Sequence, residues 1–287
     1  MNLNNKNILT PYLKGVGQIM LQNNQWTGLL FLVGIFYDSI VSGIAAVLAV
    51  TIGTLTAKIL KYDEDEINMG LYGFSATLIG VALVFYFDAT PIIWGAIIVG
   101  SALATIIQHF FISKNIPVFT FPFIMVTWIF LCFFNNLLHV APAVHETVKD
   151  VLVNNSFILS THGFGEVIFQ GSVLAGILFF IAVFLESPVA ALYGLAGSVL
   201  SATLAYYFHE PTQDVQMGIF SFNAVLCAIT FSGIRKIDSL YVLISVALTV
   251  FIEILMITYD YSVLTFPFVA ASWIVLGIKR LIPEKLK

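Results

Sequence analysis

Two Thr-Phe-Pro-Phe motifs, Thr120-Phe121-Pro122-Phe123 and Thr265-Phe266-Pro267-Phe268, stand 145 residues apart in the chain. Proline has no N–H, so in a helix it leaves a carbonyl one turn earlier without its usual donor. A threonine hydroxyl two residues before that proline can join the same row of acceptors. For one threonine alone, back-bonding to its own helix is the ordinary explanation, and the symmetric pairing is what favours a shared role. A second pair, Gln18 and Glu166, sits 148 residues apart, each in a Gly-flanked apolar segment. A carboxyl in such a setting is costly and usually functional, here as an acceptor opposite the neutral Gln18, with a structural hydrogen bond as the alternative. Phe74 pairs with Phe222, and Leu21 with Phe169, at the same offset. Facing rings form a flat slot that favours a planar solute over a tetrahedral or hydrated one. The chemistry is recognition without bond making: acceptors and apolar rings that favour a planar polar solute.

The elements that hold these residues belong in lipid. Of 287 residues only 28, the 12 Lys and Arg plus 16 Asp and Glu, are charged, and 59% are hydrophobic. A mean hydropathy of +0.97 would oblige a water-soluble fold to expose far more apolar surface than association allows. Apolar runs broken by short polar or Pro-containing stretches predict about ten spans, near 16–37, 40–60, 67–87, 91–112, 117–134, 163–185, 189–208, 216–233, 239–258 and 263–279. Long apolar runs without alternation favour helices over a barrel, so the expected fold class is an all-α polytopic membrane protein. With the N-terminus inside, Lys6, Lys14, Lys58, Lys61, Lys114, Arg235, Lys236, Lys279, Arg280, Lys285 and Lys287 fall on the cytoplasmic side and only Lys149 outside. Ten spans then return the C-terminus to the cytoplasm in the cell membrane. The polar stretch Met1 to Thr10 predicts no cleaved signal peptide.

The halves repeat. At the 148 offset Gly15, Gly17, Gln22, Gly28 and Phe31 meet Gly163, Gly165, Gln170, Gly176 and Phe179, and Met69, Gly70, Ala76 and Leu78 meet Met217, Gly218, Ala224 and Leu226. At 145, Trp128 meets Trp273. Five spans per half is an odd number, so the two copies enter the membrane from opposite sides: residues 1–135 as a first inverted repeat, 136–162 as an extracytoplasmic connector and 163–287 as the second. Such repeats in transport proteins place a solute site near the midplane, between discontinuous helices. The expected interruptions are the Gly70–Leu78 and Gly218–Leu226 segments and the two Thr-Phe-Pro-Phe motifs. A duplicated scaffold without a pathway is the alternative.

At these residues the sequence resembles a bacterial member of the urea transporter family. The likeness is carried by Gly17-Gln18-Ile19-Met20-Leu21-Gln22-Asn23-Asn24, by Gly70-Leu71-Tyr72-Gly73-Phe74 and by Ile116-Pro117-Val118-Phe119 with the Thr-Phe-Pro-Phe motif that follows, and it covers nearly the whole chain. The resemblance implies a homotrimer with one pore per protomer, conducting urea passively and without ion coupling. It also implies a narrow filter of stacking phenylalanines, backbone carbonyls, threonine hydroxyls and Gln or Glu acceptors. Carried over, the filter sets Gln18, Leu21, Phe74, Leu78 and Thr120 of one half against Glu166, Phe169, Phe222, Leu226 and Thr265 of the other. Three positions depart from the pattern: Leu21 stands opposite Phe169, Ser262 stands where Pro117 would pair, and Ile124 replaces a residue that is often polar in the family. Urea, flat and uncharged with four N–H donors, suits an acceptor-rich, ring-walled filter. Another small neutral solute, such as ammonia, an amide or water, is the second reading.

Other classes lack support. The net charge of −4, with no basic stretch, gives no footing for nucleic acid. An embedded enzyme needs clustered catalytic groups, whereas His109, His139, His145, His162 and His209 are dispersed without metal spacing, and no cofactor is called for. The chain has few charges in its spans and no evident cation relay, which disfavours an ion pump. Cys132 and Cys227, both in apolar runs, read as core-packing thiols. Glu253, whose mate at 145 is Gln108, reads as structural. Asp38-Ser39 and Glu186-Ser187-Pro188 read as helix caps, and Asp63-Glu64-Asp65-Glu66 as a solvated loop.

Overall fold

The computed structural model describes residues 8–144 and 156–281, with side chains described from 160 onward in the second stretch. Lys6, His145, Lys149, Lys285, Lys287 and the middle of the 136–162 connector lie outside it. Among the described residues the chain is helical, with one isolated antiparallel bridge between Phe87 and Pro142. The first half runs α1 (Thr10–Gly17), α2 (Gln25–Asp38), α3 (Ile40–Ile59), α4 (Glu64–Asn68), α5 (Phe74–Tyr86), α6 (Pro91–Ser113) and α7 (Phe121–Phe133). The second runs α8 (Ser156–Glu166), α9 (Val173–Glu186), α10 (Pro188–Tyr207), α11 (Thr212–Gln216), α12 (Phe222–Phe231), α13 (Lys236–Thr258) and α14 (Phe266–Leu281). A 3-10 turn, Gln18–Met20, extends α1, and a π turn, Phe134–Leu138, carries α7 past 135.

Five helices are long and apolar enough to cross a membrane: Ile40–Ile59, Pro91–Ser113, Phe121–Leu138, Pro188–Tyr207 and Lys236–Thr258. They fall on five of the expected spans. Phe74–Tyr86, Val173–Glu186 and Phe222–Phe231 are shorter apolar helices. Large apolar side chains such as Ile44, Val47, Ile98, Val99, Leu192 and Leu243 stand exposed on the long helices, a surface that suits lipid rather than water.

Four of the expected spans are broken, two of them at Gly70 and Gly218, inside the segments where interruptions are expected, and two at Leu21 and Phe169, where none is expected. Between α1 and α2 the chain leaves the helix at Leu21, which is left-handed at φ 59°, and Phe169 does the same at φ 59° between α8 and α9. Each break closes by a pair of backbone bonds that take up the last carbonyls of the helix. The Gln22 N–H reaches Gly17 O at 3.1 Å and the Leu21 N–H reaches Gln18 O at 3.0 Å; Gln170 and Phe169 repeat this onto Gly165 and Glu166, both at 3.1 Å. The side-chain amides of Gln22 and Gln170 then donate to Met20 O and Ile168 O, each at 2.6 Å. The spans read at 67–87 and 216–233 break at Gly70 (φ 79°) and Gly218 (φ 83°), where only glycine adopts the backbone freely. These glycines also lie on backbone: a Cβ at Gly70 would collide with Gly15 N, and one at Gly218 would lie 3.0 Å from Gly163 N.

The left-handed residues pair across the halves. Leu21 and Phe169, Lys61 and His209, and Gly70 and Gly218 stand 148 apart, while Asn115 and Asp260, and Phe119 and Leu264, stand 145 apart. Among the described residues only His139 lacks such a mate.

Contacts between the halves are reciprocal. Phe31 of α2 meets Phe179 of α9 at 5.0 Å. The Trp128 indole donates to Ser262 O at 2.9 Å and the Trp273 indole to Pro117 O at 2.7 Å. Phe121 packs on Trp273 at 5.2 Å and Phe266 on Trp128 at 5.4 Å. Each contact has a swapped counterpart, as a two-fold axis would generate. Ser262 thus does the backbone work of Pro117 despite the change of side chain.

The caps fall where expected at Ser39, which accepts from Ser42 N, and at Ser187, which accepts from Ala190 N. Glu186 does more than flank a cap, since the Asn24 side chain donates to its carboxylate. The acidic run is not a plain loop: Asp63 caps the short helix α4, accepting from Asp65 N and Glu66 N. Its three following carboxylates lie in the first turn, where the helix dipole favours negative charge. Cys227 is buried as expected, but Cys132 is exposed on α7 and packs no core.

Candidate functional site

The site follows from where the breaks fall. The helix interruptions at Leu21, Gly70 and Phe119 bring three segments of the first half around a cavity of about 270 Å3. Its walls include Gln18, Leu21, Phe74 and Thr120, four of the residues expected there, with Gln108, Ile116, Phe119 and Phe268. Apart from Gln18, Gln108 and Thr120 its side chains are apolar, so the space offers few polar contacts along greasy walls. The Gln18 amide donates to Met69 O at 2.9 Å, which fixes the end of α1 to the turn before α5.

Thr120 reaches beyond this wall. Its hydroxyl and that of Thr265 lie 2.7 Å apart, and both residues are buried. Neither hydroxyl is used on its own helix in this arrangement; each is turned to the other half. Pro122 and Pro267 do remove helical donors, but the carbonyls four residues earlier are not left bare. Val118 O accepts from Phe121 N at 3.1 Å and Val263 O from Phe266 N at 3.2 Å, because the tight turn substitutes an i+3 bond. The expected free carbonyls at these two positions are therefore corrected to turn acceptors.

The second half holds its residues at the equivalent breaks. Phe169 is ringed by Phe85 at 5.1 Å, Tyr86 at 6.0 Å and Phe123 at 6.2 Å. Glu166 closes α8 and is half-buried, with the Gly171 backbone beside its carboxyl. Phe222 opens α12 half-buried, while Leu78 and Leu226, one turn into α5 and α12, are fully buried. The cavity itself does not include Leu78, Glu166, Phe169, Phe222, Leu226 or Thr265.

Four residues around this site were not singled out from sequence. Phe119 and Phe268 meet edge to face at 5.1 Å and add aromatic rings to the wall of the cavity that Leu21 also lines. Phe268 lies inside the repeated motif, so its signal was present. Gln108 lines the cavity, and its mate Glu253 lies buried against Asn223, with Asn223 Nδ2 donating to Glu253 Oε1 at 3.2 Å. The first half repeats that contact between Ser75 and Gln108 at 3.4 Å. The pairing of 108 with 253 was readable; the polar partner one helix away was not. His109, beside Gln108, stacks on Tyr62 at 3.6 Å and meets the Tyr72 hydroxyl at 2.9 Å, which accounts for an otherwise isolated histidine.

Comparison with known proteins gives a consistent result. Residues 9–280 match the family described as "UT: Urea transporter". Urea transporter 1 of Ovis aries is 27% identical over 237 residues, which cover 77% of this chain and 62% of the relative. Urea transporter 1 of Rattus norvegicus is 26% identical over a stretch of the same length and coverage. The match thus spans about three-fifths of the length of these relatives. Because the family match takes in almost every element described above, this chain belongs to the urea transporter family.

Proposed function

We propose that this membrane protein conducts urea passively through a narrow pore in each protomer. One observation carries the reading: Thr120 and Thr265, buried hydroxyls from equivalent positions in the two halves, meet at 2.7 Å beside a cavity with apolar walls and few acceptors. A solute crossing at that level must part these hydroxyls and offer N–H groups in their place. Urea can do so on both sides at once, while its flat faces lie against rings. Glycerol has hydroxyl donors, but its tetrahedral carbons do not fit a flat slot. The substrate named for the mammalian relatives supports the same choice.

In this reading the halves are inverted repeats, 1–135 and 163–287, joined by an extracytoplasmic connector at 136–162. Ten passages, counted with the broken helices, leave both termini in the cytoplasm of a cell-membrane protein. The reciprocal contacts and paired left-handed residues support the two-fold relation. Gln18, Leu21, Phe74 and Leu78 form the filter on one side of the threonines, and Glu166, Phe169, Phe222 and Leu226 form it on the other. Copies associate as homotrimers, each with its own pore. No coupling ion or cofactor takes part.

Uptake of labelled urea into proteoliposomes tests the passive mechanism. Uptake should stop at equal concentrations and be indifferent to collapse of the proton and sodium gradients; accumulation against the urea gradient would overturn it. A second expected outcome concerns Glu166. If its carboxyl serves as an acceptor, Glu166→Gln retains most urea flux, whereas Glu166→Leu loses about tenfold, the order of one hydrogen bond to a buried polar group. Equal loss in the two variants would show instead that the charge is required.

A further inference from the structure

Glu253 is fully buried in the last turns of α13, yet the filter does not include it. Its Oε1 accepts from Asn223 Nδ2 at 3.2 Å. The same Nδ2 donates to Leu264 O at 3.1 Å, and Asn223 Oδ1 accepts from Phe268 N at 3.3 Å. Asn223 is fully buried too, and it directly follows Phe222 at the start of α12. Leu264 is the left-handed residue, at φ 46°, directly before Thr265. One amide therefore clasps the residue after Phe222 to both ends of the turn that presents Thr265. The Glu253 carboxyl adds a third bond to that amide, from α13 rather than from the turn's own backbone.

The first half is built differently. Ser75 occupies the position of Asn223 and Gln108 that of Glu253, and they meet at 3.4 Å. A serine is too short to clasp the Phe119–Thr120 turn as Asn223 clasps its counterpart, and Gln108 lines the cavity itself.

We propose that Glu253 and Asn223 are positioning residues that lock the Leu264–Thr265 turn and so set how tightly the two threonines close on a solute. The proposal rests on the urea-conducting reading. Glu253 acts through Asn223 and need not touch the solute. A group held by several directed bonds gives a narrow geometry, and loosening such a support shifts selectivity before it abolishes passage. Its partner in the first half being a glutamine, an oxygen acceptor suffices at this position.

The test measures urea and methylurea permeability in the same proteoliposomes by stopped-flow light scattering. With the protein-free rates subtracted, their ratio does not depend on how much protein has folded, so a merely structural defect, which lowers both rates together, leaves it unchanged. Glu253→Met, which keeps the bulk and removes the acceptor, should lower the urea-to-methylurea ratio about threefold or more, and Asn223→Leu should do the same. Glu253→Gln should restore the ratio to within about twofold of the unmodified protein, and the double variant Asn223→Leu/Glu253→Met should be no worse than either single change, because both act through one clasp. An unchanged ratio in Glu253→Met, in vesicles where the unmodified protein conducts urea, overturns the proposal alone. Absence of urea conduction by the unmodified protein overturns the conducting reading and this proposal together.

Discussion

Replacing Thr120 or Thr265 by valine lowers urea flux about tenfold to a hundredfold, with the fold intact. Valine keeps the branched shape and exchanges the hydroxyl for a methyl. The change removes one acceptor and also leaves the facing hydroxyl, buried 2.7 Å away, without its partner. A solute N–H left without an acceptor at the narrowest point costs about 1–3 kcal/mol, which corresponds to that range of rates. Serine at either position should keep most of the flux, since it keeps the oxygen. Stopped-flow urea entry into vesicles with matched protein content measures the loss, and gel filtration in detergent checks the fold. Full flux in both valine variants would remove these residues from the filter.

The second large effect is on the fold itself. Gly70→Val and Gly218→Val should abolish recovery of monodisperse protein. At φ 79° and 83° an L side chain pays roughly 1–2 kcal/mol for the left-handed backbone alone, and a β-branched residue more. At Gly70 the added Cβ must also displace backbone, Gly15 N, and at Gly218 it presses on Gly163 N at 3.0 Å, backbone in a packed helix that yields less readily than a flexible side chain. Together these exceed the few kcal/mol that a single substitution usually costs. Gly277→Ala is the control, because a Cβ there meets nothing within 4 Å. Thermal melting and gel filtration should show it indistinguishable from the parent. Normal recovery of both valine variants would contradict the packing described.

The difference between what the sequence predicts and what the chain forms lies in local chemistry. Gly70 and Gly218 announce their breaks because glycine is the residue that permits them, and Pro122 and Pro267 announce the starts of α7 and α14. The breaks at Leu21 and Phe169 carry no such mark. Both residues are apolar and sit inside runs that read as continuous spans; what ends the helix is a closure onto Gly17 and Gly165 with Gln22 and Gln170 folded back on the chain. Those glutamines resemble polar positions of any helix until the closure is seen. The pairing of Thr120 with Thr265 was legible from the 145-residue offset, whereas their direct contact was not, because an offset gives equivalence and not distance. Likewise Glu253 has no acidic mate, and only the packing of α12 against α13 reveals Asn223 as its partner.

The most direct measurement compares urea, formamide, acetamide and glycerol entry into proteoliposomes by stopped-flow light scattering, against protein-free vesicles. Urea entry should be strongly accelerated and should fall in the threonine variants, while glycerol entry stays at the protein-free rate. No acceleration of urea by protein shown to be inserted and folded would contradict a urea pore at Thr120 and Thr265.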